Sequence, residues 1–236
     1  YGNPDLKPEK GQVVTLGVNK RLGSSTAVGV SYFASDITDA IASAFGFVFA
    51  LVTAFTGDRS GAIVARVQPM KLAAMEALWE SADPAPFAIA VSVDEKNQRN
   101  NFEVGLPGVL SLLAYDSFQG EVKGIKELQA AAEQKYGPGN YIPEVTPLFW
   151  SFRVMVVSGV WMIGIGALSL WLLYRNRIET SSGLLKALLW TLPIPYLANS
   201  SGWFVTEGGR QPWIVVGLQK VAQGVSTNVT STEIWI

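Results

Sequence analysis

The sequence predicts a mainly α protein, a fragment of a polytopic transmembrane helix bundle with a long extracytoplasmic loop and an N-terminal β-hairpin. Two observations carry this. Of the 236 residues, 49% are hydrophobic and only 16% charged, against about 25% charged in ordinary soluble domains. The apolar residues also gather into long runs flanking a single polar region, 57–147. The formal net charge of -1 gives no basic stripe and so points to no nucleic-acid partner. Without cysteine there are no disulfides and no thiolate metal sites, and without histidine any transition metal held by this chain needs Met, Glu, Asp, Lys or Tyr. The chain begins without Met, shows no signal peptide and stops at Trp235-Ile236 inside an apolar stretch, so both ends read as cut.

In chain order, Gln12 to Lys20 and Ser25 to Phe33 alternate in polarity and are separated by Arg21-Leu22-Gly23-Ser24, which predicts a hairpin. From about Ala40 the pattern changes. Ala40 to Phe55, with Ser43 and Thr53 as its polar members, reads as the later part of a membrane helix, short of the roughly 20 residues a full span needs. Barrel strands and helix bundles satisfy their backbones in different ways, so a junction between unrelated sequences is expected between about Asp36 and Phe45. The organisation read from the sequence is thus a hairpin segment 1–42, a helix end 43–56, a loop region 57–147 and further membrane helices in 148–236.

Within the loop region, acidic side chains outnumber basic ones, which marks a solvated segment. Gln68 to Glu80 carries Leu72, Met75 and Trp79 at helical spacing and predicts a short amphipathic helix near the membrane surface. Lys71, Glu76 and Glu80 then belong to its solvated face. Lys71 and Glu76 are too far apart to stack as an i,i+4 pair, so each needs another partner. Ala130 to Tyr136, ended by Gly137-Pro138-Gly139, predicts a second helix.

Phe149 to Tyr174 is a full apolar span with one charge, Arg153, near its start. Leu184 to Phe204 is the next, interrupted by Pro193 and Pro195. The connection between them carries Arg175, Arg177 and Lys186 against Glu179, which makes it cytoplasmic by the positive-inside rule and puts the long loop and the corner after Phe204 on the outer side. That corner, Glu207-Gly208-Gly209-Arg210-Gln211-Pro212-Trp213, takes ionisable groups to membrane depth, where each costs roughly 2.5 to 3.5 kcal/mol. An i,i+3 ion pair and a metal-ligand role account for Glu207 and Arg210 equally well. Met155, next to Arg153, is by residue type a packing side chain or a soft iron ligand.

Two resemblances follow from motifs. Gly2-Asn3-Pro4-Asp5-Leu6-Lys7-Pro8-Glu9, the hairpin and Asp36-Ile37-Thr38-Asp39-Ala40-Ile41 resemble late barrel strands of TonB-dependent outer-membrane receptors, which implies a chimeric join over residues 1–42. Gly57-Asp58-x-Ser60-Gly61, Gln68-x-x-Lys71-Leu72-Ala73-Ala74-x-Glu76-Ala77-x-Trp79-Glu80, Phe152-Arg153-x-Met155-Val156, Pro193-x-Pro195 and Gly202-Trp203-Phe204-x-x-Glu207-x-Gly209-Arg210-Gln211-Pro212-Trp213 resemble subunit I of cytochrome bd quinol oxidase over residues 43–236. The second resemblance implies a bacterial inner-membrane, multi-pass enzyme that oxidises quinol, reduces dioxygen to water and generates a membrane potential. It implies a low-spin haem b with Met155 as an axial ligand and Arg153 nearby, and a high-spin haem b with Glu207 as ligand, Arg210 close by and Trp203 packed between haems. It also implies a haem d, a second oxidase subunit and surrounding membrane lipid. Lys71 and Glu76 fall in its quinol-binding loop, in a short-loop form because Gly124 to Pro147 is compact. The family's histidine ligands have no counterpart here, so this chain alone is expected to be inactive. The other readings are a TonB-dependent transport receptor, for which strand alternation fails beyond Ile41, and an unrelated helical permease using Glu207 and Arg153 as substrate or proton sites.

Overall fold

The computed structural model describes residues 43–175, 177 and 181–224 with their side chains, and before them the backbone of Gln12–Val14, Tyr32–Ala34 and the start of the first helix. β1 (Gln12–Val14) pairs antiparallel with β2 (Tyr32–Ala34), Val13 opposite Phe33, as the hairpin requires. The expected turn at Arg21 to Ser24 lies outside the described residues, as does the Gly2 to Glu9 motif.

α1 (Asp36–Val67) departs from expectation at both ends. Asp36 to Ile41, read with the receptor hairpin, is helical and runs without a break into the apolar stretch. At the other end the helix does not stop at Thr56 but takes in Gly57 and Gly61, so that Ser43–Val67 alone is long and apolar enough to cross a membrane. Each glycine costs a helix about 1 kcal/mol, too little to end one supported by its neighbours. Ser60 Oγ donates to Thr56 O at 2.9 Å, and Arg59 lies over the Phe55 ring and pairs with Asp116 at 3.3 Å. The stop comes at Gln68, whose backbone is driven out of the helical region (φ -135, ψ 62) by the proline that follows. α5 (Val145–Tyr174) is the second helix with the length and apolarity of a span. Phe45, Phe49, Val157, Val160 and Trp171 are exposed along these two helices, as faces turned to lipid would be.

The chain divides into two compact units, residues 1–52 with 162–189 and residues 53–161 with 190–236. In the first, α1 and α5 approach closely where Gly166 meets Phe47, since a Cβ on Gly166 would lie 3.1 Å from Phe47 Cβ. α6 (Ser182–Thr191) completes the described part of this unit. The expected span Leu184 to Phe204 is helical but broken, with α7 (Ile194–Gly208) starting anew after Pro193. Pro193 and Pro195 lack the N–H groups that would have joined the two.

The second unit holds the main core. α2 (Pro69–Met75) lies at its centre with Ala73 and Ala74 fully buried, and is shorter and more enclosed than the surface helix expected over Gln68 to Glu80. Around it pack β3 (Phe87–Asp94) and β4 (Arg99–Leu106), an antiparallel hairpin, and α3 (Val109–Tyr115), α4 (Ile125–Tyr136), the start of α5 and Val205 of α7. α4 contains the expected Ala130 to Tyr136 helix and ends, as expected, at Gly137. Its N-cap, Gly124, lies against the chain after α2: a Cβ there would be 2.4 Å from Glu80 C and 2.6 Å from Ser81 N. Gly124→Ala should therefore cost about 3 kcal/mol, read as a lower midpoint in thermal unfolding. An unchanged midpoint would show that the contact is slack. After α7, β5 (Trp213–Val215) and β6 (Gln219–Lys220) form a small hairpin whose Trp213 stacks on Tyr141 while Lys220 Nζ sits 4.4 Å from the Tyr141 ring.

Candidate functional site

α2 ends in a turn that aims Glu76. Leu78 N donates to Ala73 O at 2.9 Å and Ala77 N to Ala74 O at 3.2 Å, a Schellman arrangement in which Ala77 takes the left-handed conformation (φ 51). Glycine is the usual residue there, and a side chain costs about 1 kcal/mol or more. The turn sends the Glu76 carboxylate inward rather than to solvent, and the residue is 3% exposed. Its oxygens accept from both terminal nitrogens of Arg153, at 2.6 and 3.2 Å, and from the Ala88 N–H at 3.4 Å.

Arg153, in the third turn of α5, is also buried. Its Nε donates to Ala88 O at 2.5 Å, and its guanidinium lies 4.3 to 5.1 Å from the rings of Phe87, Phe149 and Phe152. One residue of β3, Ala88, thus bonds both members of the pair through its backbone. Burial pushes the Glu76 carboxyl up to about 7, against the pull of the Arg153 charge and hydrogen bonds. The solvated-face reading of Glu76 is therefore replaced by a buried bidentate ion pair.

Lys71 is corrected in the same way. It is buried, and its Nζ donates to Thr206 O near the end of α7 at 3.2 Å. Gly209 makes this possible, because a Cβ there would stand 2.8 Å from Lys71 Cγ. Burial first, and then the Arg210 charge, lower the Lys71 pKa, while Glu207 raises it. Glu80 alone keeps the expected exposed position, bonded to Lys126 at 3.0 Å.

At the α7 corner Glu207 and Arg210 form an i,i+3 ion pair, one of the two roles open to them from the sequence, each a little over a third exposed. Arg210 Nε is buried without a hydrogen-bond partner. Met155 places its sulfur against α7, 3.1 Å from where a Cβ on Gly202 would be, and Trp203 beside it is 67% exposed. The residues singled out from the sequence thus fall into two neighbouring groups, Glu76 with Arg153 and Lys71 with Glu207 and Arg210, with Met155 at the α7 surface. Sequence reasoning missed Ala88 and Phe87, and placed Gly209 in the corner motif without a role. The alternation Phe87-Ala88-Ile89-Ala90-Val91-Ser92-Val93 was the signal for the strand that supplies the first two.

The donor set suits one kind of metal group. Among the described residues no three His, Cys, Asp or Glu side chains gather to cage an ion. A metal already held in a macrocycle needs only single axial donors, such as a thioether or a carboxylate. The unpartnered Arg210 Nε would suit an anionic substituent on such a group.

Comparison with known proteins bears on the whole of this geometry. The family model described as cytochrome bd terminal oxidase subunit I matches residues 30–236. The chain is 50% identical to cytochrome bd ubiquinol oxidase subunit 1 of Bacillus subtilis (strain 168), covering 70% of this chain and 35% of that protein. It is 31% identical to cytochrome bd-II ubiquinol oxidase subunit 1 of Escherichia coli (strain K12), covering 75% and 45%. The solved structure of the bd oxidase from Geobacillus thermodenitrificans superposes with a TM-score of 0.67 at 26% identity, over 85% of this chain and 43% of that one. The chain therefore spans less than half the length of these relatives. The family match starts at residue 30, inside the segment 1–42 that had been set apart, and the receptor-barrel resemblance of that segment gains no support from the comparisons. With residues 30–236 matched in one stretch, and with the helices, the polar region and the ionisable corner in the order expected, the chain belongs to the cytochrome bd terminal oxidase subunit I family.

Proposed function

We propose that this chain is part of the haem- and quinol-binding subunit of a bacterial inner-membrane terminal oxidase that oxidises quinol, reduces dioxygen to water and generates a membrane potential. The observation that carries the reading is the buried pair Glu76–Arg153, which ties a polar-region carboxylate to the helix bearing Met155. Met155 would hold the low-spin haem b, and Glu207 the high-spin haem b with Arg210 as its charged neighbour and Trp203 between the haems. These groups supply one-electron transfer and oxygen chemistry when bound. Haem d and the histidine ligands would come from the rest of the protein, since this chain contains no histidine. A second oxidase subunit and lipid would cover the exposed apolar faces of α1 and α5, and the polar region between them, residues 68–144, would face the outer side.

Lys71 and Glu76 would serve the quinol. A carboxylate that titrates at about 7 is suited to take a hydroxyl proton as quinol is oxidised. On gaining that proton Glu76 loses its charge, yet Arg153 stays in place because Ala88 O and the three phenylalanine rings still hold it. Only ionised Glu76 can accept, so quinol-dependent oxygen uptake should fall as pH drops through about 7, approaching tenfold per unit. In the complete oxidase, Glu76→Gln should lower uptake on the order of tenfold at pH 7.5 and flatten this limb, with the dithionite-reduced haem spectrum unchanged. Full quinol-dependent uptake in that variant would remove Glu76 from the reaction.

A further inference from the structure

We infer that Asn100, on β4, is a positioning residue for Glu76, acting through the left-handed turn at Ala77; the inference rests on the quinol-site reading of Glu76. Asn100 is half-buried, and its amide meets three groups. Its Oδ1 accepts from Trp79 Nε1 at 2.9 Å, and its Nδ2 donates to Ala77 O at 3.0 Å and to Glu103 Oε2 at 2.8 Å. The Trp79 N–H can only donate, so it fixes which end of the amide faces Trp79 and turns the NH2 toward Ala77 and Glu103.

Ala77 is the residue that needs holding. It sits directly after Glu76 at φ 51, a conformation an alanine adopts at a cost, and the residue is fully enclosed. Its N–H is already used within the turn, and its carbonyl is taken by Asn100. The β3–β4 hairpin therefore grips the Glu76 turn from both strands. β3 bonds the carboxylate through Ala88 N–H, and β4 bonds the backbone of the next residue through the Asn100 amide. Without Asn100 the Ala77 carbonyl and the Trp79 N–H lose their partner together, and the turn can relax toward ordinary helical backbone. That relaxation would swing the carboxylate away from Arg153 and Ala88.

The test uses membranes carrying the complete oxidase. Asn100→Leu removes all of these bonds, while Trp79→Phe removes only the one that orients the amide. Asn100→Leu should raise the KM for a short-chain quinol about tenfold, with Trp79→Phe giving a smaller rise of about threefold. In both variants the pH profile of quinol oxidation should shift, with haem content and the dithionite-reduced spectrum unchanged. Adding Ala77→Gly to Asn100→Leu should recover part of the KM, because glycine takes the left-handed turn without being held. An unchanged KM and pH profile in Asn100→Leu overturns the inference. So does a fall in kcat that only tracks lost haem, which Ala77→Gly does not rescue. If Glu76→Gln has no effect on quinol oxidation, the quinol-site reading itself fails. If Glu76→Gln is impaired and Asn100→Leu is not, only the positioning role fails.

Discussion

Arg153→Leu should destabilise the protein by about 3 to 5 kcal/mol, because it leaves a carboxylate that is 3% exposed with the Ala88 N–H as its remaining hydrogen bond. Most of that loss is the cost of an unpaired buried charge rather than the worth of the pair. Replacing both partners, Glu76→Met with Arg153→Leu, should therefore recover most of the stability although it removes the bonds entirely. The pH dependence follows from the same group. Burial raises the folded-state pKa of Glu76 above its ordinary 4.5, and losing Arg153 removes the influence that lowers it. A carboxyl raised in the folded state weakens folding once the pH exceeds its unfolded value, and the penalty fades as the pH falls back toward 4.5. The Arg153→Leu defect should thus be largest at pH 8 and much smaller near pH 5, measured as the thermal midpoint of the detergent-solubilised complete oxidase. A defect independent of pH would mean that lost packing against Phe87, Phe149 and Phe152 dominates.

Glu207→Ala should act on the cofactor rather than on folding. Glu207 lies partly exposed at the end of α7 in an ion pair with Arg210, itself over a third exposed, and the buried Lys71 nearby keeps its bond to Thr206 O when Glu207 is removed. Arg210 loses the one ion-pair partner it has among the described residues while its Nε is already unsatisfied, which loosens the charged wall of the proposed high-spin haem site. Loss of outer contacts to a metal group costs 10 to 100-fold in affinity or activity, and loss of the donor itself should cost at least about 100-fold. The expected result is disappearance of the high-spin haem b band and of quinol-dependent oxygen uptake, with the low-spin band retained. Intact high-spin haem in this variant would favour an ion pair that serves structure alone.

The helical part of the fold was legible because it rests on apolar periodicity and length. Val145–Tyr174 and the Pro193 interruption could be read in outline from composition and from the missing proline N–H groups. The end of α1 could not. Gly57, Asp58 and Gly61 look like the start of a loop, and the helix continues because Arg59 and Ser60 find partners that a linear reading does not see. The β3–β4 hairpin was missed although its strand alternates, because the polar composition of its surroundings dominated the reading.

The site was legible as a set of residues and not as an arrangement. Lys71, Glu76, Arg153, Glu207 and Arg210 stand out as ionisable groups near apolar runs. That Glu76 meets Arg153 depends on a left-handed alanine and on a strand whose Ala88 backbone bonds both side chains. That Lys71 reaches Thr206 depends on the absence of a side chain at Gly209. The strand leaves its alternation as a trace, but neither the left-handed turn at Ala77 nor the contact over Gly209 shows in spacing or periodicity.

The central claim is that the carboxylate of the polar region and the arginine of the Met155 helix work as one unit in quinol oxidation. A double-mutant cycle on kcat/KM for quinol, using Glu76→Gln, Arg153→Gln and the double variant in the complete oxidase, tests it most directly. If the pair is one unit, the double variant is no worse than the worse single one, a departure from additivity of at least about 1 kcal/mol. If the losses simply add, the two residues act separately and the account is contradicted.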